Sequence, residues 1–354
     1  MTTPANRPDR KRRRLAGLVL TVAMIAAACG GNDEGAGDAT TTTATPSTTT
    51  TPTTHQPADA PNAIEAASGS CASVPTGVSE FVLDAGGGEH DVRVYVPTTF
   101  DGTSDIPLVI NFHGFGSNGQ QQATVTGYED LAEEEGFIVV HPTGIPASGD
   151  SRNSWEVADL DAPGKDDLAF ANELLDFLIA NYCVDENRVY ATGMSGGGLF
   201  TSRLVCDMSD RIAAASSVAA LAYSDSCDPA RPVPFMAIHG TEDGTVPFDG
   251  DLTDTRFEDE EFARTLFSEP IPEQFAEFAE AMGCAPEAER VQQSTDIYAT
   301  TYTGCDNEVP LVFYEVVDGG HAWPSSPMAE RLSDWQGYIT FEIDATADSW
   351  AFFE

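Results

Sequence analysis

The sequence predicts an α/β domain, a doubly wound and mostly parallel sheet with an antiparallel hairpin at its N-terminal edge. Three observations carry that expectation. Short, apolar runs recur at 108–112, 137–140, 188–192, 213–220 and 233–238, as in strands buried on both faces. Stretches with a helical apolar period separate them, above all 166–182, which puts Leu168, Ala171, Leu174, Leu175 and Leu178 on one face. Ahead of them, runs at 81–83 and 92–96 flank Gly86-Gly87-Gly88, a hairpin signal.

Taken in chain order, residues 7–14 (RPDRKRRR) form a basic segment, 15–28 an apolar stretch, and Ala26-Ala27-Ala28 a small-residue site before Cys29. Residues 1–28 therefore read as an export signal, too short for a spanning helix. A cysteine at that point is similar to the modified cysteine of bacterial lipoproteins, so Cys29 is the expected lipidation site and a lipid anchor the expected membrane contact; plain secretion is the alternative. Residues 29–70 lack an apolar period, and 11 of the 15 residues 40–54 are threonine. They read as a disordered Thr/Pro-rich tether. Residues 71–354 fit one catalytic domain. Setting Cys29 aside leaves six cysteines, as expected of a disulfide-bonded exported domain; three pairings of Cys71, Cys183, Cys206 and Cys227 stay open.

Within the domain, the hairpin is followed by a strand at 108–112, a helix near 128–135, a strand at 137–140, the helix over 166–182 headed by Asp166 and Asp167, a strand at 188–192 and a helix at 196–206. Strands at 213–220 and 233–238, a helix at 274–281, a strand at 309–317 and a terminal helix over 344–353 complete the order. The chain carries 57 acidic and 17 basic residues, and six of the basic residues but only one acid precede Cys29, so the remainder has a net charge of −45. Such a body repels phosphate backbones, which excludes nucleic acid as a partner. The 41% hydrophobic content excludes wholesale disorder.

The sharpest chemical signal is Gly193-Met194-Ser195-Gly196-Gly197, a G-x-S-x-G where a strand ends and a helix begins. Such a turn lifts a serine hydroxyl out of the sheet, and side chains at 193 and 197 would collide with backbone, so Ser195 reads as a nucleophile. A nucleophilic serine needs a base. Of six histidines, His55, His90, His113, His141 and His239 sit in the tether or in elements unsuited to the order serine, acid, histidine, which leaves His321 in Asp318-Gly319-Gly320-His321-Ala322-Trp323-Pro324. Its glycines suit a mobile loop. The acid should end a strand between the two; Asp243 is the choice, with Glu242 and Asp249 as competitors. Oxyanion donors are expected from the backbone N–H groups of Gly196 and Phe115, with His113 orienting the loop.

These segments, with His113-Gly114-Phe115-Gly116, His141-Pro142-Thr143-Gly144, Ser154-Trp155, Asp166-Asp167, His239-Gly240-Thr241-Glu242-Asp243 and Val246-Pro247, resemble the secreted polyhydroxybutyrate depolymerase and feruloyl/acetylxylan esterase group of α/β-hydrolases. The resemblance spans about 71–354. It implies an α/β-hydrolase fold, a carboxylic ester hydrolase without a cofactor, a Ser195–His321–Asp243 triad, and a local disulfide between Cys284 and Cys305. The chain departs from that group at Gly196, where asparagine is common, and at the acidic stretch 249–273, which reads as an insertion. Trp155 and Trp323 serve either as an aromatic wall for an acyl group or polymer, or as plain packing. No metal is expected: Asp159, Asp161, Asp166 and Asp167 lack a calcium-loop pattern, and no zinc spacing occurs. A polymeric or polymer-derived ester is the expected partner of a monomer. A peptidase of the same fold and a catalytically retired binding protein are the rival readings.

Overall fold

The structure is a computed structural model and describes Cys71 and residues 74–157, 164–254 and 260–354, all within one compact unit, Asp59–Glu354. The expected export signal, the whole of the expected tether with Cys29, Asp159 and Asp161 lie outside the described residues. Strands β1 (Gly77–Ala85) and β2 (Gly88–Val96) form the expected hairpin. Gly86 and Gly87, at φ 56° and 95°, make its two-residue turn, a conformation that glycine adopts without a Cβ penalty. There follow β3 (Ile106–Phe112), α1 (Gly119–Thr126), α2 (Tyr128–Glu135), β4 (Ile138–Pro142), α3 (Asp167–Tyr182), β5 (Val184–Met194), α4 (Gly196–Asp207), β6 (Ala214–Val218) and β7 (Phe235–Gly240). The chain then adds α5 (Glu260–Phe267), α6 (Ile271–Ala281), β8 (Ala288–Gln292), β9 (Ile297–Tyr302), β10 (Leu311–Val316), α7 (Ala329–Gln336) and α8 (Ala345–Phe353).

One ten-stranded sheet runs β1-β2-β4-β3-β5-β6-β7-β10-β9-β8. Its six central strands, β4 to β10, are parallel, and antiparallel pairs flank them on both sides. This is the α/β-hydrolase fold. Strands β3, β4, β6 and β7 are buried at every residue, which is why they read as apolar runs rather than alternating ones. Leu108, Ile110 and Phe112 of β3 pack with Phe170 and Leu174 of α3 and Phe200 of α4, while Val109 faces the opposite layer with Tyr128 of α2 and Trp350 of α8.

Helix boundaries follow their caps. Asp166 accepts the Ala169 N–H at 2.9 Å and starts α3; Asp344 accepts the N–H groups of Thr346 and Ala347 and starts α8. Asp167 lies in the first turn of the same helix, as expected, and is in addition fully buried in an ion pair with Lys165 at 2.9 Å. Strand β5 extends well beyond 188–192, and α6 begins at Ile271. Three disulfides tie the domain: Cys71–Cys183, Cys206–Cys227 and Cys284–Cys305. The last bears out the pairing that the resemblance implied, and the first two settle the open one.

Candidate active site

Ser195 sits between β5 and α4 at φ 56° and ψ −122°. A non-glycine residue in that region costs about 1–3 kcal/mol and persists only where its surroundings impose it. Here they do. The Ser195 N–H donates to Val218 O at 2.9 Å on the neighbouring strand. A Cβ on Gly193 would stand 2.4 Å from Gly197 O, and one on Gly197 2.1 Å from Phe112 O. Both glycines of the motif are thus required by close backbone contact with β3 and α4, as the sequence suggested.

His321 Nε2 lies 2.9 Å from Ser195 Oγ, and His321 Nδ1 lies 2.8 Å from Asp243 Oδ2. Asp243 follows β7, and its Oδ1 accepts the N–H groups of Thr245 and Val246, both at 2.8 Å. Burial works to raise the Asp243 pKa, but the attraction and hydrogen bond of His321, with His239 and the Val246 N–H, outweigh it and hold the carboxyl below the usual range. Glu242 and Asp249 are exposed and do not approach the histidine; Asp249 Oδ1 accepts the Asp251 N–H instead. Asp243 lies against a second ring as well. His239 Nε2 donates to Val246 O at 2.9 Å and stands 3.4 Å from Asp243 Oδ2, while burial pushes the His239 pKa down.

The glycines before His321 serve contact rather than motion. A Cβ on Gly320 would lie 1.9 Å from Gln336 O, and one on Gly240 would lie 2.2 Å from Gly319 O. The Glu242 N–H donates to Gly319 O at 2.9 Å and the Gly320 N–H to Tyr338 O at 3.0 Å, so the acid-bearing and base-bearing loops are fastened together. His321 itself is 7% exposed.

On the other side of Ser195 lies the 113–117 loop. A Cβ on Gly114 would be 3.3 Å from Ser195 Cβ, and one on Gly196 would be 3.1 Å from Phe115 N, so the loop backbone rides directly over the nucleophile. The Gly196 N–H is one of the unpaired donors at the start of α4. His113 orients this loop as expected: its Nδ1 donates to Gly114 O at 2.7 Å and its Nε2 accepts the Gly144 N–H at 3.0 Å. That arrangement fixes a neutral tautomer, and burial lowers the His113 pKa to about 4.

Trp155 and Trp323 do not form an exposed aromatic wall. Trp155 is 5% exposed, stacks on Phe200 and donates Nε1–H to His113 O at 2.9 Å. Trp323 is fully buried and donates to Thr346 Oγ1 at 2.9 Å. The exposed aromatic near the serine is Phe115, 46% exposed, with the Arg152 guanidinium 4.5 Å over its ring. Sequence spacing gave no sign of that pair, because Arg152 comes from a distant loop. Among the described residues no cluster of histidine, cysteine and carboxylate side chains is placed to hold a metal ion.

Compared with known proteins, the chain is 29% identical over 171 residues to the bifunctional acetylxylan esterase/xylanase XynS20E of Neocallimastix patriciarum, covering 48% of this chain and 24% of that one. It is 28% identical over 241 residues to feruloyl esterase B of Piromyces equi, covering 65% and 42%. It is also 30% identical over 237 residues to the putative esterase NocK of Nocardia uniformis subsp. tsuyamanensis, covering 64% and 67%. The chain thus spans less than half the length of the first two. A family model described as "Putative esterase" matches residues 84–280, a stretch that contains Ser195 and Asp243. With more than half of its length matched, the chain belongs to this esterase family.

Proposed function

We propose that this protein is an exported serine esterase that hydrolyses carboxylic esters. The observation that carries the reading is the unbroken line from Ser195 Oγ through His321 to Asp243, with contacts of 2.9 and 2.8 Å. His321 Nε2 takes the Ser195 proton as Oγ bonds to the ester carbonyl carbon, and Asp243 holds the ring with its proton on Nδ1. Negative charge on the carbonyl oxygen is met by the N–H groups of Phe115 and Gly196. The intermediate collapses, the ester C–O bond breaks, and the leaving alkoxide takes the proton from Nε2. Water then attacks the acyl-enzyme, giving its proton to Nε2, and the acid is released as Ser195 regains a proton.

The substrate class is the feruloyl or acetyl ester of plant cell-wall polysaccharide, which the names of the two fungal relatives support; polyhydroxyalkanoate polyester is the competing polymer. Exposed Phe115 is the aromatic surface available to such a substrate. Three disulfides support an extracellular location, and Cys29 is the proposed lipid anchor of a monomeric enzyme. A fluorophosphonate probe should label the wild type and not Ser195→Ala. Absence of labelling in the wild type refutes the reading, and rates on methyl ferulate, acetylated xylan and hydroxybutyrate oligomers assign the acyl group.

A further inference from the structure

A fully buried cation lies behind the 113–117 loop. The Lys165 side chain has no exposed surface, nor does that of its partner Asp167. Its ammonium donates to Ile145 O at 3.1 Å, Ser154 O at 2.6 Å and Ser154 Oγ at 3.1 Å, and pairs with Asp167 Oδ2 at 2.9 Å. In a chain with only two lysines, Lys11 and Lys165, burying one of them needs a reason, because a buried charge is costly unless it is paired and fully hydrogen-bonded.

The acceptors point to it. Ile145 follows Gly144, whose N–H holds His113 Nε2. Ser154 precedes Trp155, whose Nε1–H holds His113 O. The same ammonium therefore grips both ends of the 145–154 loop, next to the two groups that hold His113. Between those ends the loop makes three further contacts with the segment above the nucleophile. Asn153 O accepts the Gly116 N–H at 2.8 Å, Asn153 Nδ2 donates to Ser117 O at 2.8 Å, and Arg152 covers the Phe115 ring.

We propose that Lys165 is a positioning residue for the oxyanion site, fixing through the 145–154 loop and His113 the place of the Phe115 N–H over Ser195. The inference rests on the esterase reading above. Lys165 touches neither substrate nor nucleophile, and its effect is transmitted by the carbonyls it holds. Displacement of such a donor by about 1 Å lowers the rate on the order of 10²-fold without disturbing the nucleophile and base.

The test compares wild type, Lys165→Met and Trp155→Phe on p-nitrophenyl acetate, with the affinity of an aryl boronic acid, a mimic of the tetrahedral intermediate, measured alongside. For Lys165→Met, kcat should fall on the order of 10²-fold with KM little changed, and boronate affinity should fall in parallel. Trp155→Phe, which keeps an aromatic ring against Phe200 but loses the five-membered half of the indole and its hydrogen bond, should lose about tenfold in both. Where Lys165→Met does not fold, Lys165→Met/Asp167→Asn buries no uncompensated charge and reads the same quantities. A lower melting temperature with unchanged kcat and boronate affinity in the folded variants overturns the positioning role and leaves the esterase reading intact. A wild type that neither hydrolyses the ester nor reacts with a fluorophosphonate overturns both.

Discussion

The two sides of Ser195 are built on different principles. On one side, three side chains meet directly, and two hydrogen bonds join serine, imidazole and carboxylate. On the other, the proposed oxyanion donors are backbone N–H groups, that of Phe115 carried by a loop that His113, Trp155 and Asn153 hydrogen-bond and behind which Lys165 holds Ser154. A side chain can be replaced and its role read off, whereas a backbone donor can be moved only through what supports it. The first side should therefore fail outright when altered and the second by degrees.

The largest effects test the first side. Ser195→Ala or His321→Ala should lower kcat on the order of 10⁶-fold with the fold retained, as expected for residues that act as one unit. Asp243→Asn should cost about 10⁴-fold, and Glu242→Gln almost nothing. A Glu242 variant slower than the Asp243 variant would remove Asp243 from the acid role.

Acid should separate the two sides next. Burial lowers His113 to about 4 and His141 to about 3 from 6.5 in the unfolded chain. Below pH 6.5 the unfolded chain binds protons that the folded histidines refuse, so stability is complete above that value and is lost as pH falls toward 4. These two groups alone give a slope of up to about 2.7 kcal/mol per pH unit, and the lowered pKa values of His239 and His90 add to it with the same sign. The depressed carboxyl of Asp243 has the same sign, but its contribution is lost only below 3.8. Denaturant midpoints measured from pH 7 to 5 should fall, and His141→Gln should flatten the slope by one proton; midpoints independent of pH over that range would contradict the neutral tautomer at His113.

A smaller change joins the two sides. Gly196→Ala puts a methyl 3.1 Å from Phe115 N, forcing the loop to yield while leaving Ser195, His321 and Asp243 in place. kcat should fall on the order of 10²-fold with a fluorophosphonate still able to label Ser195. An unchanged rate would show that the loop tolerates displacement and that the two sides of Ser195 do not differ in this way. The smallest effect concerns the whole surface. With a net charge of −45 from Cys29 onward, raising NaCl shortens the Debye length from about 30 Å at 0.01 M to about 3 Å at 1 M, and the melting temperature should rise. A flat or falling melting temperature, against an osmotically matched neutral solute, would show the acidic groups already well spaced.

The same contrast explains what could be read from the sequence. The triad was legible because each member closes a strand in a fixed order and brings its own glycine neighbours. The parallel strands were legible because burial on both faces makes them apolar throughout. Helix α1 has no sequence signature because its inward face is polar: Gln122 donates to Asn111 and Asn111 to Thr126, so no apolar period marks it. Strand β8 has all five residues exposed and pairs at a sheet edge, where nothing constrains its composition; α7 buries only Ala329 and Gln336. Lys165 could be seen but not interpreted, since its partners Ile145 and Ser154 are brought to it only by the turn of the loop. Trp155 takes the second of its two readings, plain packing: its ring packs inward on Phe200 and its N–H faces the backbone.

The Cys284–Cys305 bridge closes a ring whose ends are 21 positions apart, and that ring contains the whole β8–β9 hairpin, the outermost and most exposed part of the sheet. The exposed turn at the tip of such a hairpin is a natural place for a protease to cut. Cleavage at the 293–296 turn would open the hairpin yet leave both fragments covalently joined through the bridge, with β10 and the histidine-bearing loop still attached to the strands that carry serine and acid. A molecule nicked there would gain the mass of one water, migrate as one species until its disulfides were reduced, and keep its reacting groups on a single covalent assembly.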